Sequence, residues 1–180
     1  NEYDETALVG SGVEGLNFGE ISACTASAIG DGIKVVWSSL AGADNYDVLR
    51  KTVDETEWKK ITNVTGTEYS DTTAASGVEY NYSIRAHQGK YTAGMSADIP
   101  TIKYIGKPSV AVANIKEGLS LTITEVGGAQ QYIIGKFVDG VSVGDFLTVD
   151  ASEFASGSYT YVDKDVQGDK DYKYTAYAVA

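Results

Sequence analysis

One plan written twice along the chain constrains its fold more than any other feature. Gly32-Ile33-Lys34-Val35-Val36-Trp37 recurs as Gly118-Leu119-Ser120-Leu121-Thr122-Ile123, and Ala43, Tyr46, Val48 and Arg50 recur as Ala129, Tyr132, Ile134 and Lys136, all 86 positions later. Further on, Tyr69, Asp71, Tyr80, Tyr82 and Ala86 recur as Tyr161, Asp163, Tyr172, Tyr174 and Ala178, now 92 positions later. The change of offset implies an insertion in the middle of the second copy, around Val141 to Ser158. A supersecondary unit used twice in 180 residues predicts two small domains.

Within each copy the apolar residues alternate. Ile33, Val35 and Trp37 face one way and Lys34, Val36 and Ser38 the other, while Tyr80, Tyr82 and Ile84 alternate with Asn81, Ser83 and Arg85. A period of two is that of a strand with one buried face. Clusters such as Gly30-Asp31-Gly32, Ala41-Gly42-Ala43-Asp44-Asn45, Ala74-Ala75-Ser76-Gly77 and Gly127-Gly128 mark turns between strands. The pattern predicts an all-β chain of two β-sandwiches, with a boundary near Ile105 to Pro108.

The net charge of −11 repels nucleic-acid phosphates and anionic lipid surfaces, so neither nucleic acid nor membrane insertion is expected. No stretch approaches the roughly 18 to 20 apolar residues of a spanning helix. A single histidine, His87, and a single cysteine, Cys24, cannot build a Cys/His zinc site or an internal disulfide. Cys24 reads as a small buried residue on a strand. No cofactor is expected, and no catalytic arrangement is legible around His87.

The residues now resemble the fibronectin type III family, of the variety common in secreted and surface proteins of Gram-positive bacteria. Gly32 to Trp37 resembles its strand B with the core Trp, Gly42 to Arg50 the B-C turn and strand C, and Thr67 to Asp71 strand E. Gly77 to Ala86 resembles strand F, with Tyr80 in the place of the tyrosine corner, and Gly94-Met95-Ser96 through Ile99 would be strand G. In the second copy Ile123 replaces the Trp. The resemblance implies tandem immunoglobulin-like sandwiches over residues 21–105 and 106–180, with Trp37, Tyr46, Tyr80, Tyr132 and Tyr172 as core or corner residues. It also implies a non-catalytic role outside the cell or on its surface.

The second copy runs to the end of its strand F at Ala180, so it is expected to lack its own strand G. Residues 1–20 precede the first copy and carry Leu8, Val9, Val13, Leu16 and Phe18 among glycines. They are candidates for a donated strand that fills the gap in another copy, building a head-to-tail filament. The alternative is a spacer or carbohydrate-binding accessory module of a larger secreted protein. For that reading Trp58, Tyr91 and Tyr104 are candidate sugar-stacking rings, with cell-surface glycans as partners. Asp163, Asp165 and Asp171 begin like a calcium loop, but Tyr174 stands where a calcium loop needs a bidentate Glu. Asn63-Val64-Thr65 and Asn81-Tyr82-Ser83 fit the N-glycosylation pattern, which for Asn81 requires an outward-facing side chain.

Overall fold

The computed structural model of the protein describes residues 19–180, so Leu8, Val9, Val13, Leu16 and Phe18 lie outside the described residues. Fourteen strands follow one another: β1 (Cys24–Ile29), β2 (Gly32–Trp37), β3 (Asn45–Thr52), β4 (Lys59–Val64), β5 (Glu68–Asp71), β6 (Glu79–Gln88), β7 (Tyr91–Met95) and β8 (Thr101–Lys103) precede residues 104–109, and β9 (Val110–Ile115), β10 (Gly118–Thr124), β11 (Gln131–Val138), β12 (Val141–Asp150), β13 (Ser158–Asp163) and β14 (Tyr172–Val179) follow them. Every pairing is antiparallel, and no sheet mixes strands from the two groups.

In the first sandwich β1-β2-β5 faces β4-β3-β6, and β7 and β8 both lie on the outer edge of β6. In the second, β9-β10-β13 faces β12-β11-β14. The two plans are the same strand for strand, except that nothing among the described residues takes the place of β7 and β8. The alternation read from the sequence sets the inner faces. Ile33, Val35, Trp37, Tyr46, Val48, Tyr80, Tyr82 and Ile84 form the first core, and Leu121, Ile123, Tyr132, Ile134, Val149, Tyr174 and Ala176 the second.

Two local findings depart from the sequence reading, and a third gives the form of the insertion it placed around Val141 to Ser158. The closing strand of the first sandwich is not one strand over residues 94–99 but two pieces: β7, which begins earlier and ends at Met95, and β8, which begins after that stretch at Thr101. The ladder is interrupted where the Ser96 hydroxyl accepts from the Ile84 amide, and Pro100, with no N–H to give, contributes only its carbonyl, to Tyr82. Ser83, on the outward face of β6, is buried by its contact with the Ser96 hydroxyl at 3.1 Å. The insertion in the second copy lengthens β12 to 10 residues where β4 has 6, and adds a single 3-10 turn over Ala151–Glu153 that brings Phe154 onto Tyr132.

The sandwiches meet through loops. The Ser76 hydroxyl donates to the Gly127 carbonyl at 2.7 Å and accepts from the Gly106 amide at 2.8 Å, so one side chain ties the linker and the β10-β11 turn to the first sandwich.

Candidate functional site

Each sandwich carries the same buried polar cluster. Asp71, at the end of β5, accepts from Arg50 at 2.6 Å and from the Tyr82 hydroxyl at 2.7 Å, and Arg50 stacks over the Tyr80 ring. Asp163, at the end of β13, meets Lys136 at 2.7 Å and accepts from the Tyr174 hydroxyl at 2.6 Å, and Lys136 lies over the Tyr172 ring. These are the repeat partners of one another, position for position. Burial pushes the Asp163 carboxyl up, but the bonds from Lys136, Tyr174 and the Asp165 amide outweigh it and hold the group below its ordinary value. Asp71 behaves alike, with Thr73, Tyr82 and Arg50 opposing burial. Burial, then the neighbouring carboxylate, raises Tyr82 and Tyr174. Every polar group here is engaged, so the cluster fastens strands rather than offering a site.

That geometry also places the calcium candidates. Asp163 points inward onto Lys136, while Asp165 and Asp171 are exposed, and no group of three metal-ligating side chains occurs among the described residues.

The corner residues repeat as well. Tyr80 accepts from the Ala75 amide and Tyr172 from the Gln167 amide, each five residues upstream. Tyr46 accepts from Leu40 and Tyr132 from Val126, each six residues upstream. Trp37, Tyr46, Tyr80 and Tyr132 are buried, and Tyr172 is half-buried against the second core.

The two sandwiches differ at one edge. In β6 the even-numbered residues turn their backbone groups toward β7 and β8, as the bond from Tyr82 N–H to the Pro100 carbonyl shows, while Glu79 and His87 face β3. Asp171, just before β14, and Val179 at its end likewise bond toward the β11 side, so the backbone groups of Tyr172, Tyr174, Ala176 and Ala178 face the other way. No strand pairs there among the described residues. The inner face is uncovered at the same place. Val112 lies opposite Leu121 and therefore faces the interior, yet it is 46% exposed. A groove of about 510 Å³ runs alongside, lined by Lys107, Pro108, Val110, Tyr174 and Ala176. An unpaired edge beside uncovered apolar side chains is the arrangement that accepts an extended strand.

The remaining candidates do not converge. Tyr104 is buried, its hydroxyl donating to the Ala74 carbonyl, and so offers no sugar-stacking face. Trp58 is half-buried under Lys51 and lines a groove of about 540 Å³ with Asp47, Arg85 and His87, while Tyr91 is exposed on β7. His87 sits between Asp47 at 2.8 Å and the Thr92 hydroxyl at 3.0 Å, a pairing across β3, β6 and β7 that the sequence did not disclose. Burial pushes Asp47 up, but bonds from Asn63 and His87 hold it below the usual range. Asn63 is thus occupied, and Asn81 bonds to Thr101 beside the buried Ser83. Cys24 is buried in the first core, and its thiol is pushed up to about 11, chiefly by burial.

No protein-family model and no curated protein sequence matches the chain. Among solved structures it is similar to the chicken interferon gamma receptor alpha chain, at 9% identity and a TM-score of 0.51, over 89% of this chain and 90% of that one. At that identity the likeness is one of fold. The chain folds as two β-sandwiches in tandem, each with the strand order of an immunoglobulin-like fold. Similarity extends to a two-domain fibronectin type III segment of chicken tenascin, at 18% identity and TM-score 0.46, over 89% of this chain and 91% of that one. It extends also to an Fn3-like protein from Clostridium thermocellum, at 26% identity and TM-score 0.42, over 47% of this chain and 90% of that one. The fold itself serves many roles.

Proposed function

We propose that this tandem is an extracellular, non-catalytic structural protein that joins its copies head to tail, a strand from residues Ala7 to Phe18 of one copy closing the second sandwich of the next. The observation that carries the reading is Val112 of β9, inward-facing yet 46% exposed, on the side of the sandwich where no strand among the described residues pairs with the edge of β14. In the first sandwich the corresponding edge is closed by β7 and β8, and the segment from Tyr91 to Tyr104 buries Ala93 and Tyr104 in the core. Each large apolar side chain buried in this way contributes about 1.5–3 kcal/mol, so an uncovered edge favours capture of a strand. A head-to-tail contact between two different surfaces propagates as a filament when its rotation does not close into a ring.

Negative-stain electron microscopy of the concentrated protein tests this. Threads with a repeat of one two-sandwich subunit support it, and separate particles at every concentration argue against it.

A second reading, a glycan-binding accessory module, is favoured by the groove that Trp58 shares with Asp47, Arg85 and His87. Tryptophan fluorescence that does not move across a panel of soluble polysaccharides would remove it.

A further inference from the structure

The first sandwich contains its own template for a closing strand. Ile102 pairs with Tyr80 at the start of β6, and two residues on Tyr104 inserts its ring into the core. The Tyr104 hydroxyl donates to the Ala74 carbonyl at 2.9 Å, and its carbonyl accepts from the Gly77 amide at 2.9 Å. The ring therefore sits against the loop after β5, at the pole of the core that Ile33 of β2 also joins.

At the matching pole of the second sandwich there is a cavity of about 360 Å³. Its walls include Leu119, Val166, Gly168 and Tyr172, which the repeat sets equal to Ile33, Ala74, Ser76 and Tyr80. Ile33, Ala74 and Tyr80 share the first core with Tyr104. The cavity thus stands where the first sandwich holds an aromatic ring.

The residue that fits is written in the chain. Leu16 and Phe18 precede Ile102 and Tyr104 by the same 86 positions that relate the start of the two copies. Charge agrees: Lys107 and Lys173 flank the groove along β14 without an ion-pair partner among the described residues, while residues 1–18 carry Glu2, Asp4, Glu5 and Glu14 and no Lys or Arg.

Resting on the strand-donation reading, we infer that the pole cavity of the second sandwich is a socket for an aromatic side chain, filled by Phe18 of another copy with Leu16 laid against Tyr172. Direction follows from the template. A strand antiparallel to β14 ends at the β13-β14 loop, which the β10-β13 register places at the opposite end of the sandwich from the Gly127-Gly128 turn that meets the first one. The donor's first sandwich then begins beyond that far pole, in line with the acceptor, and successive copies extend one rod. The fit has one difference from the template. Phe18 has no hydroxyl to donate to the Val166 carbonyl, the counterpart of Ala74, so Phe18→Tyr strengthens the contact.

The test titrates a fluorescein-labelled peptide of residues 7–20 into the full 180-residue chain carrying Phe18→Ala, which leaves the acceptor sandwich untouched. The wild-type peptide binds, the Phe18→Ala peptide binds about 10- to 100-fold more weakly, and the Phe18→Tyr peptide binds more tightly. A benzophenone placed at position 18 of the peptide cross-links to the segment from Lys164 to Tyr172. Equal binding by the wild-type and Phe18→Ala peptides, or cross-linking elsewhere, overturns the socket while leaving strand donation in place. Absence of binding by every peptide overturns strand donation, and the socket with it.

Discussion

Lys136 Nζ lies 2.7 Å from Asp163 Oδ2 inside the second sandwich, on the spot where Arg50 meets Asp71 in the first. Two copies that differ in their cation have kept the same carboxylate, the same tyrosine hydroxyl on it and the same ring beneath the cation. Removing one partner strands a buried charge. Lys136→Met is therefore expected to cost about 3–5 kcal/mol, whereas Lys136→Arg, which restores the arrangement of the first sandwich, stays within about 1.5 kcal/mol of the parent. Urea unfolding followed by tyrosine and tryptophan fluorescence separates the two.

The same clusters set the response to pH. Asp71 and Asp163 are held below their unfolded value of about 3.9, so the folded state binds protons less readily than the unfolded chain. Their contribution is complete above that value and is lost as pH falls through the depressed folded ones. Tyr82 and Tyr174 are raised above about 10, so theirs is complete below pH 10 and is lost as pH rises beyond it. The urea midpoint should form a plateau with a fall on each side, and Asp163→Asn should flatten the acid limb. An acid limb of unchanged slope in that variant would contradict the assignment.

What was legible in the sequence was whatever a period of two or a fixed offset could carry. Ile33, Val35 and Trp37 declared an inner face, and the paired tyrosines declared two copies of one plan, because those signals are local or are repeated. The partners of Asp71 and Asp163 were not legible, since an acidic residue beside a turn reads as solvated until a cation from another strand is brought to it. The break between β7 and β8 was hidden for a similar reason: Ser96 bonds across the strand to Ile84, which no nearest-neighbour pattern reports. Tyr104 read as a surface ring because it follows the last strand of its sandwich, and only the assembled loop after β5 gives it a pocket.

The corner hydroxyls offer a matched pair of measurements. Tyr80→Phe and Tyr172→Phe each remove the acceptor for one amide, from Ala75 and from Gln167. Each should lower stability by about 0.5–1.5 kcal/mol, with the first felt more because Ala75 sits in the better-covered loop. Hydrogen exchange followed by NMR should show the Ala75 and Gln167 amides losing protection in the respective variants only.

The junction between the sandwiches depends on the absence of two side chains. A Cβ on Gly128 would come within 2.4 Å of Gly77 Cα, and Gly128 itself adopts φ +80, which L-residues rarely hold. Gly128→Ala is expected to push the loops apart and free the angle between the sandwiches. Small-angle scattering should then show a broader distribution of end-to-end distances, with the second sandwich losing about 1–2 kcal/mol to the left-handed backbone and the first as stable as before.

Closure of the edge of β14 by a strand from another copy is read by sedimentation velocity of the 180-residue chain across concentration. Species are expected to grow in steps of one 19.1 kDa subunit as concentration rises, and to shrink to a single subunit when Phe18 and Leu16 are both replaced by Ala. A lone 19.1 kDa species at every concentration, with both sandwiches folded, would contradict it.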